Sequence, residues 1–430
     1  MKIAVWLSAL VVTLVGPLYA QDISGTWQGT INAGSQEIHI VVKIERDAGG
    51  TLQGTLFSVD QSPDRGVGIP VSSMKLQGSR LTFRIEAARA AYEGEISTDG
   101  NSVKGTWTQG ATLPVEFQRA TPETVWKDPS PHAVRRVTVD KDVSLEVLDW
   151  GGSGGPVVLL AGLGNTAHVF DRIAPKLTVA HHVYGITRRG FGASSAPTTG
   201  YSADRLGDDV MAVLDALNLS TPVLAGHSIA GEELSSIGSR HPERVAGLIY
   251  LDAGYSYAYY DRARGNLDID LVELQETLQQ LQPRKSTQDP RALIHELLET
   301  ALPRFERDLQ ARQQELQAMP QALLAQASTP MSEVALAIQR GEQKYTHIPV
   351  PILAIYAVPH DLGPVPGVDA TARAAFETSD EAVTAAQANA FERGVPSARV
   401  VRLPHATHFV FLSNEADVLR EMTTFLSSLR

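Results

Sequence analysis

Not one of the 430 residues is a cysteine. That excludes a thiol nucleophile, a disulfide framework and any thiolate metal site, and several enzyme classes with them. A basic surface is lacking too. Lys and Arg number 37 against 48 Asp and Glu, a formal net charge of −11. Nucleic acids and anionic membranes both need cationic partners, so neither fits as the main ligand. Plain solubility accounts for the acidity, with a cationic substrate as the functional alternative. Beyond the first twenty residues no apolar run is long enough to cross a bilayer. The remaining composition, 43% hydrophobic and 20% charged, is that of folded protein, and the length exceeds one ordinary core. More than one domain is expected.

The start of the chain differs from the rest. In "MKIAVWLSALVVTLVGPLYAQD" Lys2 precedes an apolar run from Ile3 to Val15, and small Ala20 precedes Gln21. This layout predicts a secretory signal peptide over 1–20, cleaved after Ala20, with an uncleaved anchor as the alternative. Leu18 departs from the small residue preferred at that place and leaves the cleavage position open. The run ends without the cysteine a lipoprotein needs. The expected outcome is export, to the periplasm or the medium, with no stable membrane insertion after cleavage.

Residues 22–119 alternate with period two. In "EIHIVVKIE" Ile38, Ile40, Val42 and Ile44 share one face, while Glu37, His39, Lys43 and Glu45 share the other. Leu81, Phe83 and Ile85 repeat the pattern, as do Leu113, Val115 and Phe117, and "NAGS", "DAGG", "QGS" and "TDGN" supply turns between such runs. Seven or eight short antiparallel strands, a small β-barrel or sandwich, are predicted. No acid, base and nucleophile come together in this segment. Trp27 and Trp107, each in a "GTW" triplet, are expected in its core; contact with a glycan or the cell envelope is the functional alternative. Residues 120–133, with Pro122, Pro129 and Pro131, form a linker.

From 134 to 430 the pattern changes to short, continuous apolar runs such as "VVLLAG", "PVLAG" and "PILAIYA", with helix-like segments between several of them. Strands buried on both faces and alternating with helices mean a mostly parallel sheet in an α/β fold. Between Asp252 and Pro349 the alternation lapses into helical pattern, a cap over about 254–347. There Leu271, Leu274, Leu278 and Leu281 keep to one helix face, a packing surface.

Within this segment "LAGHSIAGEE" occupies 224–233, after a strand and before a helix. Gly226, His227, Ser228, Ile229 and Ala230 give G-x-S-x-A, a serine in a sharp turn among small residues that let helix and strand pass closely. A serine hydroxyl attacks only when a base takes its proton, and the base needs an acid to orient it. His408 lies in the loop between the last strand and the last helix, with His405 nearer the strand. For the acid, Asp361 follows the strand "PILAIYA"; Asp252, closing "GLIYLDA", is the alternative at the same sheet edge. His360, beside Asp361, is expected to face elsewhere.

On these residues the segment 134–430 resembles the α/β-hydrolase superfamily, with an extra N-terminal β-domain ahead of it. "PVVLLAGLGNTAHVFD" looks like the early strand and oxyanion loop, Arg189–Ser194 like the Arg-Gly-Phe-Gly-x-Ser turn, and "HPERVAGLIYLDA" like the segment before the cap. Ser228, Asp361 and His408 stand in the superfamily's order. The resemblance implies a serine hydrolase acting on small-molecule carboxylic esters, with no metal or organic cofactor. It implies an oxyanion hole from the backbone N–H groups of Leu163 and Ile229. Ala161-Gly162 replaces the usual His-Gly, which leaves open what supports that loop. Tyr255, Tyr257, Tyr259 and Tyr260 either cement cap to core or line a pocket. Lactone, amide or carbon–carbon bond hydrolysis and cofactor-free perhydrolysis stay open on the same fold, and a non-catalytic envelope- or glycan-binding protein is the rival class.

Overall fold

The computed structural model describes residues 22–429 apart from 34–35, 48, 60–67, 110, 126–131, 282–288, 320–323, 325–331 and 363–369. The expected signal peptide lies outside the described residues. Among those described, no helix is long and apolar enough to cross a membrane.

The described residues of the alternating N-terminal segment form nine strands, against the seven or eight expected: β1 (Gly25–Ala33), β2 (Gln36–Arg46), β3 (Leu52–Ser58), β4 (Ile69–Pro70), β5 (Ser73–Gln77), β6 (Arg80–Ile85), β7 (Ala90–Ile96), β8 (Ser102–Gln109) and β9 (Ala111–Ala120). Every pairing is antiparallel, in the order β4-β3-β2-β1-β9-β8-β7-β6-β5. Only Val71 and Ser72 separate the two end strands, and their amides bond Gly54 on β3 and Arg84 on β6. The sheet therefore curls until its edges nearly meet. Period-two alternation puts Ile40, Val42, Phe83, Tyr92 and Phe117 into one buried core. Trp27 and Trp107 belong to that core, as expected. Arg119 lies over the Trp27 ring at 4.4 Å and its guanidinium donates to the carbonyls of Ser24 and Asp22, closing one end.

A second, eight-stranded sheet holds β10 (Ala133–Asp140), β11 (Val143–Gly151), β12 (Pro156–Leu160), β13 (His182–Thr187), β14 (Val223–His227), β15 (Gly247–Leu251), β16 (Ile352–Ala357) and β17 (Ala398–Leu403). The order is β10-β11-β13-β12-β14-β15-β16-β17. β10, β11 and β13 pair antiparallel, and all pairings from β13 through β17 are parallel. Both faces are covered. On β12, Val158 and Leu160 enter one core with Val210, Leu214 and Leu234, while Val157 and Leu159 enter another with Phe170, Val418 and Met422. Burial on both sides is why these strands read as continuous apolar runs.

Between β15 and β16 stand the cap helices Leu267–Gln280, Pro290–Glu296, Leu302–Ala318 and Glu333–Gln339. The leucine stripe is only partly a packing surface. Leu274 is buried against Leu297, Ala301 and Phe305, but Leu271, Leu278 and Leu281 are exposed.

Candidate active site

β14 ends at His227, and Ser228 takes a left-handed backbone, φ 54°, before the helix Ala230–Arg240 begins. Close approach makes this turn possible. A Cβ on Gly226 would lie 3.0 Å from those of Ala230 and the side chain of Leu234, and one on Gly231 would run into the Ala253 carbonyl. Ala230 itself, where glycine is usual, fits and is fully buried. Next to β14, β15 pairs with His227 opposite Leu251. The residue after Leu251 is Asp252, also left-handed at φ 48°.

His408, from the loop after β17, reaches both. Its Nε2 lies 2.8 Å from Ser228 Oγ and its Nδ1 2.6 Å from Asp252 Oδ2. Asp252 is fully buried. Its Oδ1 accepts from the Tyr255 hydroxyl at 2.9 Å and the Ala357 amide at 3.0 Å, and its Oδ2 also meets His360 Nε2 at 2.8 Å. Burial alone would raise this carboxyl; hydrogen bonds from His360 and His408 reverse that and hold it well below the usual carboxylate range. An ionised, fully hydrogen-bonded carboxylate thus faces the histidine that faces the serine.

This pairing corrects two expectations. The carboxylate beside His408 is Asp252, not Asp361. His360, expected to face elsewhere, is the residue turned into the site. The reason lies in the register. Beyond β16 and β17 the chains continue side by side, with His360 bridged to Ala406 and the Asp361 amide bonded to the Ala406 carbonyl at 2.8 Å. Successive side chains of an extended chain point to opposite sides. With His360 inward, Asp361 faces out and is exposed. His405 is exposed as well, and the structure brings His408 to the serine as expected.

His227 is buried, and its Nε2–H donates to the His408 carbonyl at 3.0 Å. Burial, with His408 nearby, pushes it down to about 3, so it stays neutral and fixes the loop that carries His408. On the other side of the serine lies the Ala161–Leu163 loop. A Cβ on Gly162 would stand 3.1 Å from that of Ser228 and 2.7 Å from His227 Nδ1, so glycine alone lets the loop lie against the nucleophile. Leu163 and Ile229, the expected oxyanion donors, fall in one apolar cluster with Tyr257, Phe191 and Ile338. The loop is supported by Arg188, which sequence reasoning passed over. Buried Arg188 donates to the Ala161 carbonyl at 3.0 Å and makes a two-pronged pair with Glu233 on the following helix, at 2.7 and 2.8 Å. The signal was the doubled arginine of "TRRGFG" facing the doubled glutamate of "AGEE"; its second arginine, Arg189, pairs with Asp209.

The cap tyrosines divide their roles. Tyr255 holds Asp252, Tyr257 joins the apolar cluster beside Ile229, Tyr260 bonds Asp270, and Tyr259 packs on Phe391. Elsewhere His132, His168 and Asp171 bring ligand-type atoms within 4.8 Å of one another. In this structure Asp171 accepts from Trp150 Nε1 at 3.1 Å and faces His168 Nδ1 at 3.0 Å, a hydrogen-bonded network.

A model described as the alpha/beta hydrolase fold matches residues 155–415. The chain belongs to the α/β-hydrolase family. Among curated relatives, this α/β hydrolase is 26% identical over 118 residues to 2-(acetamidomethylene)succinate hydrolase of Mesorhizobium japonicum, covering 27% of this chain and 42% of that protein. It is 34% identical over 120 residues to the non-heme chloroperoxidase of Streptomyces lividans, covering 27% and 44%. The chain thus spans about two fifths of the length of each of these two curated relatives. Among solved structures it is similar to the esterase RhEst1 from Rhodococcus sp. ECU1013, at 19% identity and TM-score 0.45, covering 69% of this chain and 99% of that one. The site of this α/β hydrolase holds a hydroxyl, an imidazole and a carboxylate in one hydrogen-bonded line, a set able to deprotonate and deliver an oxygen nucleophile.

Proposed function

We propose that this α/β hydrolase is an exported serine hydrolase that cleaves carboxylic esters of small molecules through an acyl-enzyme. The observation that carries this reading is the continuous path from Ser228 Oγ to His408 Nε2, 2.8 Å, and from His408 Nδ1 to Asp252, 2.6 Å. Ser228 attacks the ester carbonyl as His408 takes its proton. Asp252 stabilises the imidazolium, which then protonates the leaving alcohol. Water, deprotonated by the same imidazole, attacks the acyl carbonyl, and the imidazolium returns the proton to Ser228 Oγ as the acid leaves. The developing oxyanion is received by the backbone N–H groups of Leu163 and Ile229, held in place by Arg188. These steps balance without a metal or an organic cofactor. The apolar cluster of Leu163, Phe191, Ile229 and Tyr257 favours an apolar acyl or alcohol group. Export rests on the leader-like pattern of residues 1–20.

A fluorophosphonate probe tests the chemistry. Labelling of the wild type at Ser228, lost in Ser228→Ala together with at least about 10⁴-fold of p-nitrophenyl ester turnover, is the expected result. A folded wild type that stays unlabelled overturns the reading.

A further inference from the structure

Asp252 Oδ2 is shared by two histidines, and the reaction above needs only one. Opposite His408, His360 presents Nε2 to the same oxygen at 2.8 Å, and its Nδ1 lies 2.8 Å from Asp380 Oδ2 on the helix Ala370–Gly394. A neutral imidazole has one N–H and one lone pair. Set between two carboxylates, it would turn that lone pair against an anion. Only the doubly protonated ring satisfies both ends. Burial alone would lower the proton affinity of His360, and the two carboxylates outweigh it, pushing it up to about 10.

We propose that His360, held between Asp252 and Asp380, is a positioning residue that locks the Asp252 carboxylate and offsets part of its field at His408. The arrangement extends the line to five groups: Ser228, His408, Asp252, His360 and Asp380. Among the described residues, the titratable groups facing His360 include Asp252, Asp380, the Tyr255 hydroxyl at 3.3 Å and the His408 ring, whose centroid is 6.2 Å away. Of these, Asp252 would bind His408 as a full anion were it alone. A fixed cation at that distance offsets part of its field. The inference deepens the proposed function and rests on its assignment of His408 as the base.

Histidine ring ¹⁵N NMR on the full-length protein tests it without requiring any substrate. In the wild type the His360 ring stays doubly protonated at pH 8, and in Asp380→Asn it titrates at least about one pH unit lower than in the wild type. In His360→Gln the His408 ring titrates about one unit higher than in the wild type, and the acid limb of kcat/KM for an aryl ester moves up with it. A ring that merely fills space would lower stability or kcat and leave both readings still. A neutral His360 at pH 8 in the wild type overturns the proposal, and so does an unmoved His408 in a folded His360→Gln. Should that variant fail to fold, the His360 titration in Asp380→Asn decides. An absence of ester turnover in a wild type with the expected NMR titrations refutes the esterase reading instead.

Discussion

Ser228 and Asp252 leave neighbouring parallel strands at one level. In the β14–β15 register His227 stands opposite Leu251, so each residue is the first beyond its strand, and each takes a left-handed backbone, φ 54° and 48°. The Ser228 amide donates to the Leu251 carbonyl at 3.3 Å, tying the two turns together. Such conformations cost non-glycine residues on the order of 1–3 kcal/mol each. Here the two turns lift a hydroxyl and a carboxylate off the sheet edge, and His408 bridges them.

Two carboxylates were candidates for the acid, and kinetics separates them. Asp252→Asn should keep the shape of the site and lower kcat by about 10⁴-fold, because an amide can steer the imidazole into the wrong tautomer and cannot stabilise its cation. Asp361→Asn should stay within about twofold of wild type. Steady-state turnover of a p-nitrophenyl ester measures both, and the reverse ranking would return the role to Asp361.

Arg188 ties the Ala161 carbonyl to Glu233 across a buried interface. Arg188→Met leaves the Glu233 carboxylate buried without its partner, a loss on the order of 3–5 kcal/mol in urea unfolding. The double variant Arg188→Met, Glu233→Leu should regain most of that stability but not kcat, because the Ala161–Leu163 loop stays unsupported. Full recovery of turnover in the double variant would show that the loop needs no such tie.

At Gly231 the helix after the nucleophile passes the Ala253 carbonyl too closely for a side chain. Gly231→Ala should therefore destabilise by about 1–3 kcal/mol through overpacking, despite alanine's better helix propensity. A denaturation midpoint equal to or above wild type would contradict the close approach.

Burial pushes Glu342 up to about 8, from 4.5 in an exposed chain. Between those values the folded protein keeps a proton that the unfolded chain has released. Glu342 therefore subtracts stability progressively as pH rises from about 4.5 to 8. Glu342→Gln removes this loss. Its Tm should match the wild type near pH 4.5 and exceed it by roughly 2 °C or more at pH 8. A Tm difference that does not widen over this range would show that Glu342 ionises freely in the fold.

Much of this architecture is written locally. Period-two alternation in "EIHIVVKIE" placed Ile40 and Val42 in the core of the N-terminal sheet, because a strand with one wet face has no other way to sort its side chains. Unbroken apolar runs marked the strands buried on both faces, and the small residues around Ser228 marked the sharp turn. The loop position of His408, just before the last helix, could likewise be read from the chain.

What the tertiary structure alone decided is which groups meet. Asp252 and Asp361 both follow strands that end at the same sheet edge, and no local pattern ranks them. The ranking came from register, which carries Asp252 up beside Ser228, and from the one-residue alternation that turns His360 inward and Asp361 out. Arg188 finds Glu233 for the same reason, through space between β13 and the helix after β14. Turn sterics and burial periodicity act within a few residues of chain. Hydrogen bonds between charged side chains depend on ångström separations that only the closed fold defines.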